Sequence, residues 1–237
     1  MTFDRDVLIN AAKDMEMQLT ENNLSDFGIY ADLLYEWNQK MNLTAIREPE
    51  KVSLLHFADS LSLLKVFELA DGQKVIDVGT GAGFPGVPLK IMRGDIKLTL
   101  LDSLNKRIVF LDELSKCLKQ SNETIHARAE DGGKNPDLRE QFDVAVSRAV
   151  ASLPLLAEYC LPYVCVGGYF IAYKGPGLEA ELDDGERVTE LLGGKLEKSE
   201  KLILSDGSER NIIIIKKISQ TSPKYPRSSA NIAKKPL

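Results

Sequence analysis

The sequence is poor in the residue types on which several common chemistries depend. Its three cysteines, Cys117, Cys160 and Cys165, are odd in number and not clustered, which fits a reducing cytoplasm better than a disulfide framework. Its two histidines, His56 and His126, form no zinc-type spacing with the cysteines, and no Ser–His–Asp arrangement stands out. The composition therefore predicts neither a metal centre nor a hydrolase triad.

Long hydrophobic runs are also missing. No apolar stretch is long enough to span a bilayer, and the first six residues have neither the basic region nor the apolar core of a secretory signal. A length of 237 residues allows one full α/β domain and a small addition. We expect a cytoplasmic protein with no membrane partner.

Acidic residues are absent from the last part of the chain. The net charge is −5, yet residues 211–237 contain no Asp or Glu. The cations of this segment are Lys216, Lys217, Lys224, Arg227, Lys234 and Lys235. They are candidates for binding the phosphates of a nucleic acid, and the alternative is a solvated tail.

Apolar periodicity divides the chain into three parts. Residues 1–70 are predicted to form a helical extension, with helices over 4–19 and 50–69 and between them an apolar stripe at spacings of three and four. The members of this stripe are Phe27, Tyr30, Leu34, Trp37 and Met41. We interpret the stripe as core packing rather than as a surface for stacking bases. Residues 71–218 form the main domain, and 219–237 a basic, irregular tail.

Strands and helices alternate from residue 74 onward. Strands are predicted at 74–78, 97–102, 123–128, 142–147, 166–173, 196–204 and 210–218, with helices near 85–93, 104–119, 151–161 and 177–192. This alternation implies a parallel sheet covered on both faces. The last two strands have only a turn between them, at Ser205-Asp206-Gly207-Ser208. A Rossmann-like α/β sheet that closes with an antiparallel hairpin is typical of methyltransferases that use S-adenosylmethionine (SAM).

A glycine-rich turn follows the first strand. Asp77 ends this strand, and Gly79, Gly81 and Gly83 occupy alternate positions before the next helix. Glycines allow a tight bend and a close approach of a nucleotide ligand. A pyrophosphate beside the Asp77 carboxylate would be repelled, whereas the sulfonium of SAM would be attracted. SAM is favoured on this argument, while a nicotinamide or flavin cofactor and a purely structural turn remain open.

The ends of the later strands supply further candidate site residues. Asp102 lies where a carboxylate can bind ribose hydroxyls, although it would also suit a helix cap. Ala129 and Glu130 could read an adenine edge, or Glu130 could be a first-turn helix acid. Arg148 and Lys174 place two cations at the same edge of the sheet.

Two kinds of nucleic-acid methyltransferase are disfavoured by missing features. Enzymes that methylate amino groups of adenine or cytosine commonly carry an Asx-Pro-Pro-aromatic element after the fourth strand, where this chain has Ser147-Arg148-Ala149-Val150. Enzymes that methylate carbon 5 of pyrimidines need a cysteine near the site, and Cys117 falls within a predicted helix.

Several segments, in order along nearly the whole chain, resemble the ribosomal RNA small-subunit methyltransferase G family, also called glucose-inhibited division protein B. The segments are Asn42-Leu43-Thr44-Ala45-Ile46, His56-Phe57-Ala58-Asp59-Ser60-Leu61, residues 77–89, Ser147-Arg148-Ala149, Tyr225-Pro226-Arg227 and Lys234-Lys235-Pro236-Leu237. The tail departs from the family pattern at Ala230 and Ile232, which have replaced glycine and proline.

The resemblance implies a function and a set of contacts. It implies methylation of N7 of one guanosine in the decoding-region loop of 16S ribosomal RNA, as naked RNA or within the small subunit. It also implies SAM contacts at Gly79, Phe84, Ala129, Glu130 and Arg148. The N7 lone pair is free without deprotonation, so Arg148 and Lys174 are expected to position groups rather than to move protons.

Two other classes of function remain as alternatives. A nicotinamide-dependent oxidoreductase would share the glycine turn and Asp102. A non-catalytic ribosome assembly factor would retain the basic tail. If the tail contacts the RNA and not SAM, truncation after Ile218 should weaken RNA modification more than SAM binding.

Overall fold

A single twisted sheet forms the centre of the molecule. The computed structural model describes residues 2–148 and 151–237 and, of Ala233, the backbone only. Within these residues the strands are β1 (Lys74–Val78), β2 (Lys97–Asp102), β3 (Glu123–His126), β4 (Phe142–Ser147), β5 (Val164–Lys174), β6 (Gly194–Ile203) and β7 (Glu209–Lys217). Their order across the sheet is β3-β2-β1-β4-β5-β7-β6. The first five strands are parallel, and β7 runs antiparallel to both β5 and β6. The predicted Rossmann-like sheet with a closing hairpin is confirmed.

Helices cover both faces of the sheet. They are α1 (Arg5–Asp14), α2 (Glu21–Met41), α3 (Pro49–Lys51), a π-helical segment (Val52–Ala58), α4 (Asp59–Leu61), α5 (Leu63–Val66), α6 (Gly86–Met92), α7 (Asn105–Cys117), α8 (Ala129–Gly132), α9 (Leu153–Cys160), α10 (Leu182–Leu191) and α11 (Ser229–Lys234). Two 3-10 turns lie at Leu161–Tyr163 and Leu178–Glu181.

Each face of the sheet has its own core because successive strand residues point to opposite sides. Val75 of β1 packs with the N-terminal helices and with Phe110 of α7. Its neighbour Ile76 packs on the other side with Leu156 of α9 and Val188 of α10. The carboxyl ends of the parallel strands therefore open into a crevice bordered by both layers.

The N-terminal helices pack on the sheet and hold the glycine turn. Helix α2 begins with a capping box in which Thr20 and Asn23 satisfy each other's backbone N–H groups. Phe27 and Tyr30 of its apolar stripe are fully buried, each contributing about 1.5–3 kcal/mol to stability. The Tyr30 hydroxyl donates to the carbonyl of Ala82 at 2.5 Å. The stripe is core, and through Tyr30 it fixes the bend after β1.

The helix predicted over 50–69 is interrupted. Its middle is π-helical from Val52 to Ala58, and a break at Ser62 separates α4 from α5. Apolar periodicity does not reveal such a change, because the residues still face the same core. The π-helical segment delivers His56 and the carbonyl of Leu55 to the crevice, as described below.

The tail is more ordered than predicted. Residues 229–234 form helix α11, and Ile232 within it is buried. The preceding chain is fixed by Arg139, whose guanidinium donates to the carbonyls of Thr221 and Tyr225. The prediction of an irregular tail was wrong for this helix, because the contacts that order it come from residues distant in sequence.

Candidate functional site

Two cavities adjoin at the carboxyl edge of the parallel strands, and Ala151 lines both. The first cavity, of about 560 Å³, lies over the ends of β1, β2 and β4 and includes Gly79, Asp102 and Glu130 in its wall. The second cavity, of about 600 Å³, lies over the end of β5 and includes Arg148 in its wall. This edge is where open α/β sheets bind their ligands.

The glycine turn leaves open space beside the first cavity. Gly79 and Gly81 have φ angles of 74° and 64°, and a Cβ atom built on either would have no heavy atom within 4 Å. Only glycine adopts such angles readily, and the missing side chains leave room for a ligand. Gly83 differs, because its Cβ would approach the Tyr30 hydroxyl to 2.7 Å. Gly83 thus serves the packing of α2 against the turn, and its role in cofactor binding stays a prediction.

Asp77 lies under the turn rather than in the cavity. Its Oδ2 accepts hydrogen bonds from the Thr80 hydroxyl at 2.7 Å and from the Gly86 N–H at 2.8 Å, and the residue is fully buried. Burial raises the pKa of this carboxyl to about 7, against the opposing effect of the two hydrogen bonds. The predicted direct attraction between Asp77 and a cationic ligand is therefore wrong, since its carboxylate shapes the turn from behind.

Asp102 is part of the first cavity and also organises the surrounding backbone. Its carboxylate accepts from the Gly81 N–H at 3.0 Å and the Leu104 N–H at 2.9 Å. The guanidinium of Arg107 lies 3.0 Å from the same carboxylate. The same guanidinium nitrogen lies 3.3 Å from the other Asp102 oxygen, so four hydrogen bonds reach a carboxylate that has about four acceptor positions. A ribose hydroxyl would therefore take the place of Arg107. Asp102 does not cap α7, which begins after Leu104 without a side-chain cap, and its predicted ribose contact stays a prediction.

Ala129 and Glu130 meet the tail at the far wall of the first cavity. Both residues line it, and Glu130 is buried although it begins the short helix α8. The Ser229 hydroxyl donates to Glu130, and Ser229 itself lines the cavity. Asp102 and Glu130 line this cavity together with the guanidinium groups of Arg107 and Arg128, so two carboxylates are balanced by two cations.

Arg148 and Lys174 both lie in the second cavity. The Arg148 guanidinium donates to Asp59 Oδ2 at 2.8 Å and to the carbonyl of Leu55 at 3.1 Å, and it does not line the first cavity. Lys174 donates to the carbonyl of Ala151 at 2.5 Å and pairs with Glu181 at 2.8 Å. The structure therefore brings together the two positioning candidates, whereas the predicted SAM contact of Arg148 stays a prediction.

Two residues of the second cavity were missed by sequence reasoning. Asp59 Oδ1 accepts from Arg210 Nε at 2.8 Å, so one buried carboxylate joins Arg210 to Arg148. Asp59 stands in the segment 56–61 that carries the family resemblance, and this was its only signal. Arg210 had none, because its place depends on the pairing of β7 with β5.

Phe84 links the glycine turn to the second cavity. Its ring stacks on His56 with a centroid separation of 4.4 Å, and the Arg148 guanidinium lies 4.9 Å from the ring centroid. Burial, together with the charge of Arg148, lowers the pKa of His56 to about 3, so this imidazole is neutral at physiological pH. His56 is buried and packs on Phe84, whose SAM contact stays a prediction.

The predicted RNA-binding cations differ in accessibility. Lys217 is fully buried, donates to the Leu161 carbonyl at 2.7 Å and lies 3.4 Å from Glu140. Its prediction as an RNA contact was wrong, since the apolar face of β7 carries it into the interior. Arg227 forms an ion pair with the buried Glu158 at 2.6 Å. The exposed or half-exposed cations of the segment are Lys216, Lys224, Lys234 and Lys235.

The described part of the chain offers no other obvious chemistry. No helix within it combines the length and apolarity needed to cross a membrane. Nor does any group of three or more His, Cys, Asp or Glu side chains in these residues have the arrangement of a metal site. Ala149, which belongs to the Ser147-Arg148-Ala149 segment, lies outside the described residues.

Comparison with known proteins gives consistent matches. The profile of a family described as rRNA small subunit methyltransferase G matches residues 23–213. A protein of Desulforamulus reducens named ribosomal RNA small subunit methyltransferase G is 50% identical over 234 residues, covering 97% of each chain. A protein of the same name from Clostridium tetani is 47% identical, covering 98% of each chain. Among solved structures, a SAM-dependent methyltransferase from Aquifex aeolicus matches with a TM-score of 0.52 and 18% identity, covering 73% of this chain and 96% of that one. This last likeness concerns the fold alone.

Proposed function

The chain belongs to the rRNA small subunit methyltransferase G family, and from that premise we propose that it transfers a methyl group from SAM to N7 of a guanosine in 16S ribosomal RNA. One structural observation supports the proposal most directly. A cavity at a glycine turn adjoins a second cavity lined by Arg148, Lys174 and Arg210, and the two share Ala151. A nucleoside-containing donor and an RNA substrate can therefore meet at one boundary.

The first cavity fits SAM. Gly79 and Gly81 leave room for the methionine part, and Asp102, which lines the cavity, is assigned to the ribose hydroxyls in exchange for its contact with Arg107. Ala129 and Glu130, which line the same cavity, are assigned to the adenine edge. SAM, when bound, supplies a methyl group on a cationic sulfur. Because this donor has no phosphate, the carboxylates of Asp102 and Glu130 do not oppose it.

The second cavity is assigned to the guanosine and its phosphates. The guanine N7 lone pair lies in the ring plane, so it attacks the methyl carbon without prior loss of a proton. The carbon–sulfur bond breaks as the new bond forms, and the electron pair remains on sulfur. The product base carries a positive charge, which agrees with the absence of any required base.

Catalysis in this scheme depends on alignment. Correct placement of two reactants can lower a barrier by about 7–11 kcal/mol. The N-terminal helices hold the glycine turn through Tyr30 and hold Arg148 through Asp59 and the Leu55 carbonyl. We therefore assign Arg148 and Lys174 the positioning of the base or a neighbouring phosphate, and not proton transfer.

The substrate determines the expected partner and compartment. A structured RNA is recognised through its shape and through bases that leave the stack. We propose that Lys224, Lys234 and Lys235 of the tail contact phosphates outside the second cavity. The reaction then takes place where small ribosomal subunits are assembled, in the cytoplasm.

Methyl transfer with mapping of the product tests the proposal. The protein is incubated with SAM labelled in the methyl group and with small ribosomal subunits lacking the modification. Label is expected at N7 of one guanosine in the 16S RNA, detected by strand cleavage after borohydride reduction. Binding of NAD in place of SAM, or label on another atom, would contradict it.

A further inference from the structure

Glu181 has one carboxylate oxygen that is held in place and one that is available. Its Oε2 accepts from the Leu153 N–H at 2.7 Å and lies 2.8 Å from Lys174 Nζ. Its Oε1 has no hydrogen-bond partner among the described residues, and the side chain is 31% exposed where it lines the second cavity. The carboxylate is thus fixed at one oxygen and presents the other.

The other polar groups of this cavity offer different chemistry. Both oxygens of Asp59 are engaged, one by Arg148 and the other by Arg210, and its side chain is 5% exposed. The Tyr173 hydroxyl donates to the Ser60 carbonyl at 2.7 Å. The three cations of the cavity are hydrogen-bond donors only. Among the described residues that line the cavity, Glu181 is the carboxylate with an acceptor to spare.

Guanine has donors for such an acceptor. Its N1–H and its 2-amino group both donate from the Watson–Crick edge, which lies on the side of the base away from N7. Single-stranded bases are commonly read on this edge. Adenine has an acceptor at N1 and no 2-amino group, so it would leave a carboxylate at this position unpaired. An unpaired buried polar group is costly, and specificity arises from that cost.

We propose that Glu181 selects the target base by accepting hydrogen bonds from the Watson–Crick edge of guanine, an inference that rests on the proposed function. The Leu153 N–H and Lys174 hold the carboxylate while Oε1 meets the base. With the Watson–Crick edge at Glu181, N7 faces the opposite direction, as required for transfer from the first cavity. Glu181 is thereby the specificity-determining residue of the second cavity.

Inosine tests this assignment, because it retains N7, O6 and N1–H and lacks only the 2-amino group. Two 16S RNAs, made by ligation with guanosine or inosine at the target position and assembled into small subunits, are the probes. Wild-type protein is expected to methylate the guanosine RNA about 10- to 100-fold faster in kcat/KM, the range for one hydrogen bond to a charged acceptor.

The matched variant is Glu181→Gln. Its amide oxygen must accept from Leu153 and Lys174, so its NH2 group takes the place of Oε1 and turns an acceptor toward guanine into a donor. We expect guanosine methylation to fall about 10- to 100-fold and the guanosine-to-inosine ratio to fall below about threefold. SAM affinity should stay within about twofold, which shows that the fold is intact.

Glu179→Gln is the control, since Glu179 is exposed on the same 3-10 turn and does not line the cavity. It should leave both rates and their ratio unchanged. A wild-type ratio near one, or a Glu181→Gln protein that keeps the wild-type ratio, would overturn the role of Glu181 while leaving methyl transfer intact. If wild-type protein methylates neither RNA, the proposed function itself fails, and this inference fails with it.

Discussion

At the scale of single residues, the carboxylate that marks the glycine turn acts on the protein rather than on the ligand. Asp77 ties Thr80 and Gly86 together from beneath the bend, and the carboxylates that face the first cavity belong to Asp102 and Glu130. The sequence position of Asp77 showed that it stands at a strand end. Its side chain lies on the same face of β1 as that of Val75, because successive strand residues point to opposite sides, and the turn that follows folds over it.

Substitution of Asp77 should separate its hydrogen bonds from its charge. Asp77→Ala leaves the Thr80 hydroxyl and the Gly86 N–H without an acceptor, and we expect the free energy of unfolding to fall by about 2–4 kcal/mol. Asp77→Asn retains an acceptor oxygen and should cost about 1 kcal/mol or less at neutral pH. Urea unfolding of both variants measures these values, and an equal loss in the two would argue against the hydrogen bonds.

The raised pKa of Asp77 has a consequence for stability against pH. The pKa of this carboxyl is 3.8 in the unfolded chain and about 7 in the folded protein. Between these two pH values the folded protein retains a proton that the unfolded chain has lost. The contribution of this group is therefore full below pH 3.8 and is lost as the pH rises through 7. From pH 5 to pH 8, wild-type protein should lose about 3 kcal/mol of unfolding free energy relative to Asp77→Asn. Parallel pH profiles for the two proteins would contradict the shift.

Lys217 offers the corresponding test for the basic segment. Burial lowers its pKa to about 8, and it is enclosed by the Leu161 carbonyl, Thr221 and Glu140. Lys217→Met should leave RNA affinity within about twofold. Replacement of Lys234 and Lys235 by alanine should reduce the slope of log affinity against log salt by about one per lysine. Filter binding over a range of salt concentrations distinguishes these outcomes, and a reduced slope in Lys217→Met would restore it as an RNA contact.

At the scale of elements, the tail forms part of the wall of the first cavity and is also a candidate RNA surface. Ser229 lines the cavity, and the ion pair between Arg227 and Glu158 fixes the chain just before it. The prediction that truncation after Ile218 weakens RNA modification more than SAM binding stays a prediction. We now expect such a truncation to weaken SAM binding as well.

A double-mutant comparison tests the anchoring of the tail. Arg227→Ala leaves the buried Glu158 carboxylate without its partner, which should lower the free energy of unfolding by about 3–5 kcal/mol. It should also raise the Kd for SAM several-fold, because Ser229 loses its support. Adding Glu158→Gln removes the buried charge and should recover at least half of the stability. Equal stability of the single and double variants would show that the ion pair is not what holds the tail.

The local sequence pattern was sufficient to predict the strands and most helices, and insufficient to predict which distant residues contact one another. The strands were predicted to within a few residues, since alternating burial and turn residues such as Ser205-Asp206-Gly207-Ser208 are local signals. The π-helical segment, helix α11 and the placement of Arg210 beside Asp59 depend on contacts between distant parts of the chain. Asp102 was predicted as a site residue because it stands at the end of a strand. Glu181 was not predicted, because its place in the second cavity depends on contacts with Leu153 and Lys174.

At the scale of the whole molecule, the proposed sites for the methyl donor and for the RNA substrate lie side by side along the sheet edge. The chain has a net charge of −5, yet Arg148, Lys174 and Arg210 gather in one cavity. Asp59 and Glu181 line the same cavity, so its three cations leave an excess of one positive charge, which favours a phosphate-bearing substrate there. The first cavity, which lies beside the open glycine turn, is the proposed place of the donor, and the boundary at Ala151 is the proposed place of transfer.

Calorimetric titration of SAM into variants of the two cavities tests this separation most directly. Lys174→Ala and Arg210→Ala should bind SAM within about twofold of wild type and lose at least tenfold in kcat/KM for the small subunit. Gly79→Val, which fills the open space at the turn, should raise the Kd for SAM by at least tenfold. If SAM affinity falls in Lys174→Ala and Arg210→Ala by as much as the rate, the second cavity is part of the donor site and the account is wrong.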